Sequence, residues 1–421
     1  MHDPRVLLDP ATDAARRLAR KGYALDASSL EALLAGRNSA IQRGDEARAE
    51  SKRVAQAVKG AAPDERPALV ERARELKAVV AAAEEQHRTL EAELTDLLLG
   101  IPNLPADDTP DGTSDADAEL LRVWGEKPAV EFPVDHVDLG EKLGVLDLPR
   151  ATKLSGPRFA VLRGLGAKLD RALARYFLDV AEQHGYTEFS VPSLVNRATM
   201  TGTGQLPKFE SDLFRTGVGD RELFLVPTAE VPLTNLHAHE TLALEDLPLA
   251  YTAHTPCFRS EAGSYGRDTR GLVRLHEFSK VELVRIVDAA RSREELELLV
   301  GHAEAVLQGL GLHHRVVKLA AGDTSFSAQV TYDIEVWLPG QRAYREIASA
   351  SDFGTFQARR AAIRTKAKDG TRGFAATLNS SALPIGRTLV AILEQGQQPD
   401  GSVRLPEALV PYTGFAELTP A

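Results

Sequence analysis

The sequence contains a single cysteine, Cys257, among 421 residues. One thiol excludes an internal disulfide and a zinc site built from several cysteines. No apolar run approaches the roughly 18 residues that a membrane-spanning helix needs. The first residues also lack the basic-then-apolar pattern of an export signal. We therefore expect a cytoplasmic protein that does not bind a membrane.

The chain has no excess of positive charge to attract nucleic acid. Its net charge is −10, which disfavours indiscriminate binding of nucleic acid but allows a local basic patch. Residues 37–59 form such a patch, with six positive charges against three negative ones. On charge alone, an ordinary solvated helix face explains this stretch best.

Two helical stretches flank a break at residues 60–63, which read Gly-Ala-Ala-Pro. A short connection between such helices predicts an antiparallel hairpin over about residues 27–99. The first helix has a looser apolar pattern that includes Ile41 and Gly44. The second has a coiled-coil seam in alternating steps of four and three, in which His87 is a tolerated residue: Leu69, Ala73, Leu76, Val80, Ala83, His87, Leu90, Leu94 and Leu97.

After an acidic linker rich in proline and glycine, at residues 106–118, the pattern changes. Strand-like runs alternate with helical stretches at 158–184, 292–310 and 384–396, without regular β-α-β alternation. Neither GxGxxG nor GxxxxGK[ST] is present, which argues against a doubly wound nucleotide-binding fold. The prediction is an α+β protein whose residues 119–421 form an antiparallel sheet flanked by helices.

Two strand-like segments within residues 255–286 predict a charged sheet surface. A strand's side chains alternate, so Cys257, Arg259 and Glu261 share one face of the first segment. His276, Phe278, Lys280 and Glu282 share one face of the second. Such a surface suits a charged, planar ligand, although paired charges on an outer sheet face explain it too. The connecting loop is rich in glycine and arginine: Gly263, Gly266, Arg267, Arg270 and Gly271.

Three further segments carry charge in apolar surroundings. Residues 228–230 and 344–351 are predicted to place carboxylates on strands. Gly386 and Arg387 open an apolar helix, whose N-terminus favours an anion. Glu261 and Glu346, together with phosphates, would hold Mg²⁺, which prefers oxygen ligands.

These segments together resemble the class II aminoacyl-tRNA synthetases in their seryl form. FRSEAGSYGRDTRGL with the downstream HEF and KVE resembles the second signature motif, and LNSSALPIGRTLVAILE resembles the third. The helix at 158–184 and the segment around Pro192 resemble the first, which implies a homodimer. PTAEVPLTN and GTGQLPKFE extend the resemblance, which covers essentially the whole chain including the hairpin.

The resemblance implies a role for each matching position. Those implied to bind serine are Thr228, Glu230, Arg259, Glu282, Asn379 and Ser381. Those implied to bind ATP are Arg259, Ser260, Glu261, Arg274, Phe278, Glu346, Ile347, Ala348, Ser349 and Arg387. Arg259, Glu261 and Arg387 would carry catalysis, and Glu346 and Ser349 would hold Mg²⁺ with ATP.

The implied activity is ATP-dependent formation of seryl-adenylate, followed by transfer of serine to serine tRNA. The selenocysteine tRNA stays open as a second acceptor. Residues 1–105 would form the tRNA-binding domain and residues 119–421 the catalytic domain. The arm's implied tRNA-binding residues are Arg37, Arg48, Lys52 and Arg53.

Several positions depart from the family pattern, and we expect them to crowd the pocket: Ala348, Asp352, Gly354, Thr355, Ser380, Ala382 and Pro384. They are explained either by neutral drift or by a specialised second copy that resists an inhibitor or serves a biosynthetic pathway. A carrier-protein ligase would lack the arm. An inactive homologue acting as an interaction protein would be expected to have lost Arg259, Glu261 or Arg387, and all three are present.

Overall fold

The computed structural model describes residues 1–131, 133–262 and 270–420. These residues form two compact units, Met1–Pro102 and Asn103–Ala421. In the described part of the chain, no helix combines the length and the apolar character needed to cross a membrane. Gly263, Gly266 and Arg267 of the predicted loop lie outside the described residues.

The first unit is a helical hairpin preceded by two short helices. The predicted antiparallel arm is confirmed, because cross-helix ion pairs join Arg37 to Glu91 and Arg72 to Glu50. Asp26 begins the long first helix by accepting a hydrogen bond from the backbone N–H of Ser29. The helices are α1 (Pro4–Leu8), α2 (Ala14–Ala19), α3 (Ala27–Gly60) and α4 (Arg66–Gly100).

The arm packs along the predicted seam of α4. All nine seam residues are buried or half-buried, including His87. On α3, Ile41 is exposed and Ala40 takes the buried position instead. The other predicted positions of α3 are buried or half-buried, so the difference is confined to this turn. A Cβ added at Gly44 would lie 3.6 Å from the Cβ of Ala83, so small residues let the helices approach closely here.

The second unit has nine helices among its described residues, and those at 292–310 and 384–396 were predicted. The helix predicted at 158–184 begins only at Leu165, because Gly164 at φ 56° precedes it in a non-helical conformation. The helices are α5 (His136–Lys142), α6 (Leu148–Ser155), α7 (Leu165–Gln183), α8 (Arg197–Thr203), α9 (Glu230–Asn235), α10 (Ser292–Gly309), α11 (Phe356–Ala361), α12 (Ile385–Gly396) and α13 (Val410–Thr413).

The strands confirm the predicted α+β class. They are β1 (Glu119–Trp124), β2 (Thr187–Glu188), β3 (Leu194–Val195), β4 (Arg215–Val218), β5 (Arg221–Leu225), β6 (Thr241–Ala243), β7 (Leu249–Phe258), β8 (Glu277–Val287), β9 (His314–Lys318), β10 (Val330–Leu338), β11 (Ala343–Asp352), β12 (Arg364–Lys366), β13 (Arg372–Phe374), β14 (Ala376–Pro384), β15 (Val403–Arg404) and β16 (Glu417–Leu418). Eight of these strands form one sheet in the order β1-β9-β10-β11-β14-β8-β7-β2, antiparallel except for the last pair.

The two faces of the large sheet serve different purposes. On one face, Val281 and Leu283 of β8 and Ile334 of β10 join the apolar core beneath α7, α10 and α12. Side chains alternate along a strand, so the intervening residues face the other way. Lys280 and Glu282 are among them, and that second face forms the floor of a large cavity.

The segment that follows the first unit runs along the second. The Asn103 side-chain amide donates to the carbonyls of Ser327 and Phe353, at 2.9 Å each. Farther on, the Ala106 N–H donates to the Gln329 carbonyl, and the Gly322 N–H donates to the Gly112 carbonyl. These bonds tie both ends of residues 103–112 to the catalytic half predicted from the sequence.

Candidate active site

The cavity above the sheet has a volume of about 840 Å³. It gathers most of the residues that the sequence singled out, although they are spread over some 160 positions of the chain. Those lining it are Thr228, Glu230, Arg259, Glu261, Arg274, Phe278, Glu282, Glu346, Ile347, Ser349, Asn379, Ser381 and Arg387. Two do not line it: Ala348 faces the core, and the Ser260 hydroxyl donates to the Ser211 carbonyl.

Two predictions about strands near the cavity are wrong. Strand β7 ends at Phe258, so Arg259 and Glu261 lie beyond it, and Glu261 turns the backbone at φ 51°. Strand β5 ends at Leu225, and Glu230 is the first residue of helix α9. Proline at 227 and 232 supplies the physical reason, since proline interrupts a strand ladder. The cavity still receives all three side chains.

A buried network around Glu282 occupies one part of the cavity. The fully buried Glu282 carboxylate accepts hydrogen bonds from the Thr228 hydroxyl and the Asn379 amide, both at 3.0 Å. It also forms a close ion pair with Lys280, whose ammonium group donates to the Thr228 hydroxyl at 3.0 Å. Every charge in this network is paired, so the carboxylate is held as a fixed acceptor.

Glu230 lies in the same part of the cavity and is held by Gln357, whose amide donates to Glu230 Oε1 at 2.6 Å. Burial, together with the nearby charge of Glu282, raises the pKa of Glu230 to about 7. The Gln357 hydrogen bond and the charges of Lys280 and Arg259 oppose this rise. A cationic ligand beside Glu230 would therefore relieve an unfavourable negative charge.

Arginines also line the cavity. Arg274 pairs with Glu261, and the Arg259 guanidinium lies 5.2 Å from the centre of the Phe278 ring. Arg387, in the first turn of α12, donates from Nη1 to the Glu346 carbonyl at 2.7 Å. Three guanidinium groups beside an aromatic ring and a helix N-terminus fit a polyphosphate joined to a planar base.

Oxygen donors stand next to these arginines. Burial raises the pKa of Asp333 well above its ordinary value, and the charge of Glu346 adds to the rise. Burial also acts to raise the pKa of Glu346, but Arg387 and its neighbouring cations outweigh it and lower that pKa. Asp333 Oδ1 is buried without a hydrogen-bond partner in the described part of the chain. Together with the Ser349 hydroxyl, this donor set fits a hard divalent cation such as Mg²⁺.

The departures from the family pattern leave the cavity largely untouched. Ser380 and Ala382 are buried on the opposite face of β14, and the cavity is lined by Asn379 and Ser381 instead. The fully buried Asp352 accepts hydrogen bonds from Gln329 and the Gly354 N–H. Of the seven departures only Pro384 lines the cavity, so the expectation that they crowd it is wrong for the others. The alternation of side chains along β11 and β14 accounts for Ala348, Asp352 and Ser380. Gly354 and Thr355 lie beyond the end of β11.

Sequence inspection missed three residues that the cavity needs. Lys280 was placed on the right face but given no role, Gln357 lies within FQARR, and Asp333 lies within TYDIEVWL. Lys280 and Asp333 are charged residues in strand-forming runs, whereas Gln357 lies on helix α11 beside two arginines. A polar residue at a position that the strand period assigns to a covered face is the signal that could have found Lys280 and Asp333.

The four cations predicted on the arm lie along α3 in the first unit. Lys52 and Arg53 are exposed. Arg48 pairs with Asp45 at 2.8 Å and with Glu84 at 2.9 Å, and Arg37 pairs with Glu91 at 3.3 Å. Exposed pairs of this kind exchange readily with other partners because water already screens them.

The antiparallel sheet and its arginine- and carboxylate-lined cavity define a class II aminoacyl-tRNA synthetase core. Residues 213–396 match the family described as tRNA synthetase class II core domain (G, H, P, S and T). Residues 1–105 match the seryl-tRNA synthetase N-terminal domain. The chain is 59% identical to serine–tRNA ligase 2 of Streptomyces avermitilis, over 100% of this chain and 99% of that one. It belongs to the seryl-tRNA synthetase family.

Other relatives agree along the whole length of the chain. Serine–tRNA ligase of Syntrophotalea carbinolica is 49% identical, covering 99% of each chain. Seryl-tRNA synthetase from Pyrococcus horikoshii complexed with ATP superposes with a TM-score of 0.93 at 33% identity, covering 100% of both chains. Cytoplasmic serine–tRNA ligase from Naegleria fowleri in complex with AMP gives 0.85 at 25% identity, covering 99% of this chain and 96% of that one. None of these favours the carrier-protein ligase, specialised-copy or interaction-protein alternatives.

Proposed function

We propose that this protein activates L-serine with ATP to form seryl-adenylate and transfers the serine to tRNA. The observation that carries the proposal is the fully paired Glu282 network, which lies in one cavity with Arg259, Arg274 and Arg387. A fixed buried acceptor suits the hydroxyl of a small amino acid. The arginines suit a nucleotide triphosphate, so the two substrates can meet within one enclosure.

The serine end of the cavity is the part that holds Thr228, Glu230 and Glu282. Glu282 would accept the serine hydroxyl, and Asn379 and Ser381 would border it. Glu230 would take the α-ammonium group, whose charge favours the ionised carboxylate. A pocket that hydrogen-bonds a hydroxyl rejects alanine, because its own polar groups would lose their partner.

The nucleotide end is lined by Arg259, Arg274, Phe278 and Arg387. Arg259 would bridge the serine carboxylate and the α-phosphate, which brings the attacking oxygen in line with phosphorus. Phe278 and Arg387 would enclose the adenine, and Arg274 would reach the γ-phosphate. Attack of the carboxylate on the α-phosphate forms the adenylate and releases pyrophosphate. Positioning and charge neutralisation lower the barrier without a protein nucleophile.

Mg²⁺ would bind with ATP at Glu346 and Ser349, whose oxygens suit it. When bound, it neutralises phosphate charge. Arg387 keeps Glu346 ionised and oriented, because its Nη1 lies 3.2 Å from Glu346 Oε1 and donates to the Glu346 carbonyl. Arg387 thus fixes the position and charge of the Glu346 carboxylate before the cation binds.

Serine-dependent exchange of pyrophosphate into ATP tests the activation step. The purified protein should exchange with serine and not with alanine or threonine, and it should not need tRNA. Exchange followed by charging of serine tRNA supports the whole proposal. Exchange without charging supports only a ligase of the activation step, and absence of both overturns the proposal.

We infer that the arm, within a tRNA-binding domain of residues 1–105, contacts the nucleic acid through Arg37, Arg48, Lys52 and Arg53. Residues 106–118 would link it to the catalytic domain of residues 119–421. Exposed cations on a long helix can reach phosphates far from the reacting end. Substitutions there should change charging and leave exchange unchanged.

A homodimer fits an apolar edge of the second unit. Strand β1 ends the large sheet, and Leu120 and Val123 on it are 55% and 52% exposed. An exposed apolar edge strand is an aggregation hazard unless a partner covers it. Light scattering should give twice the mass of one chain, and Val123→Lys should shift the mass toward one chain.

We place the protein in the cytoplasm because its one cysteine is buried and unpaired.

A further inference from the structure

We propose that His136 and Glu394 form a buried positioning pair that fixes the backbone at Leu272 and Val273, and thereby sets the affinity of the cavity for ATP. The inference rests on the proposed function. Leu272 and Val273 line the nucleotide end of the cavity, whereas His136 and Glu394 lie behind it. The pair therefore acts through its neighbours.

His136 uses both of its ring nitrogens. Nδ1 lies 3.0 Å from Oε1 of Glu394, and Nε2 accepts the backbone N–H of Leu272 at 3.2 Å. A carboxylate can only accept, so the proton sits on Nδ1 and leaves Nε2 as the acceptor. The ring is fully buried, so no water can replace either bond.

Glu394 is also fully buried, and it accepts the backbone N–H groups of His136 at 3.2 Å and Gly340 at 2.8 Å. It lies on α12, two turns after Arg387. Arg387 Nε in turn donates to the Val273 carbonyl at 3.1 Å. Helix α12 thus holds two successive residues of the cavity wall. Arg387 binds Val273 directly, and Glu394 holds Leu272 through His136.

The approach of this wall to α5 is close. Gly271 has φ +83°, and a Cβ there would lie 2.1 Å from His136 Nε2. The preceding Arg270 pairs with Asp138 in the first turn of α5. Three successive residues, 270–272, therefore rest on the start of α5, with glycine where the imidazole needs space.

A metal site is the competing explanation for the same cluster. One ligand atom each from Asp135, His136 and Glu394 lies within 4.8 Å of the others. Both imidazole nitrogens are already engaged, and a cation would have to displace a backbone N–H or a carboxylate bond. The hydrogen-bond pattern therefore favours positioning over metal binding.

Loss of the His136–Glu394 pair should weaken the binding of ATP and leave the binding of serine unchanged. Leu272 and Val273 lead directly to Arg274, which pairs with Glu261 at the nucleotide end. The serine end is built from Thr228, Lys280 and Glu282, which have no hydrogen bond to this wall in the described part of the chain. A general loss of packing would instead weaken the binding of both substrates to the same degree.

Two matched substitutions in the full-length protein separate these readings. His136→Gln can keep an acceptor for the Leu272 N–H, whereas His136→Asn is too short and leaves that buried donor unpaired. Leaving a buried donor unpaired in the bound state costs about a tenfold loss of binding affinity. Isothermal titration should therefore show ATP affinity about tenfold weaker for His136→Asn and within roughly threefold of the parent for His136→Gln. Serine affinity should be unchanged in both, and both melting temperatures should fall.

Equal ATP affinities for the two variants, or an equal loss toward serine, would overturn the proposal. Glu394→Met removes the acceptor of His136 Nδ1–H at a similar side-chain length and should weaken ATP binding in the same direction, which serves if His136→Asn does not fold. Stoichiometric, tight binding of Zn²⁺ by the parent, lost in His136→Gln, would establish the metal site instead. Because ATP binding is measured directly, a protein that binds ATP without serine-dependent exchange would refute the proposed function and leave this test intact.

Discussion

The arm and the cavity unit use charged residues in opposite ways. On the arm, Arg48 and Glu84 pair across the helices with about half of each side chain exposed. In the cavity, Lys280 and Glu282 pair almost without exposure. An exposed pair contributes about 0–1 kcal/mol, whereas breaking a buried pair costs about 3–5 kcal/mol. The arm's charges are therefore available to a large partner, and those of the cavity are fixed for a small one.

The largest effect is expected where the buried charges are broken. Glu282→Ala should lower serine-dependent pyrophosphate exchange at least roughly a hundredfold, because it removes the acceptor and leaves Lys280 buried without a charge partner. It should also narrow the preference for serine over alanine. Exchange rates with both amino acids, measured beside the melting temperature, check this.

Glu295→Ala provides a matched control. Glu295 forms a buried ion pair with Arg285, and neither residue lines the cavity. The control should lower the melting temperature to a similar degree and leave the serine-to-alanine ratio unchanged. If both variants changed the ratio alike, or neither did, Glu282 would have only a structural role.

A smaller effect is expected from the arm, and it should be confined to tRNA. Arg48→Glu combined with Arg53→Glu should raise the KM for tRNA about tenfold and reduce the slope of log KM against log salt by about two. Exchange should stay within twofold of the parent. Arg88→Glu is the control, at a side chain on the other helix that is 73% exposed. It should leave the KM for tRNA and its salt dependence unchanged.

The protonation of Glu230 gives a third contrast, since burial raises its pKa from 4.5 to about 7. Between these pH values the folded state keeps a proton that the unfolded state releases, so stability falls as pH rises through this window. Glu230→Gln should remove the cost of ionising this buried carboxyl in the folded state. The variant should therefore be more stable than the parent at pH 8 by on the order of 1–3 kcal/mol, with little difference at pH 5. Denaturant unfolding at the two pH values measures this.

The same substitution should weaken serine binding, because the ammonium group loses its counter-charge. In the parent, serine affinity should increase as pH rises through about 7. The variant should lose that dependence. A parent whose serine affinity is constant from pH 6 to 8 would rule out Glu230 as the group that takes the ammonium.

The smallest effect is expected at the departures on the core face of the sheet. Ala382→Gly places a glycine at a buried strand position and should destabilise the protein by about 1 kcal/mol through greater chain entropy. The KM for serine should stay within twofold of the parent, because Ala382 does not line the cavity. A large change in that KM would mean that the sheet transmits packing to the pocket.

How far the sequence predicts each region follows from the same contrast. The arm was predictable because a coiled-coil seam is a local repeat, and only the shift from Ile41 to Ala40 was missed. The cavity face of β8 was predictable from the period of a strand, which placed Phe278, Lys280 and Glu282 together. The end of β7 was not predictable in this way, because tertiary packing overrides short-range propensity there. The absence of a strand at Glu230 could have been predicted, because Pro227 and Pro232 argue against a strand ladder.

Residues that act through others were out of reach. His136 and Glu394 are 258 positions apart and meet only because α12 packs beside α5. No periodicity or spacing links them. Gln357 likewise reaches Glu230 from a separate helix, so its partner could not be identified before the fold was known.

The division of labour between the two units is tested most directly by shortening the arm. Ala47 and Val80 are on facing seams of α3 and α4, so residues 48–79 can be replaced by a short glycine linker that leaves the base of the hairpin intact. Pyrophosphate exchange and tRNA charging are then measured on the same preparation. We predict exchange within twofold of the parent and charging at least a hundredfold lower. Charging at the rate of the parent would contradict the account.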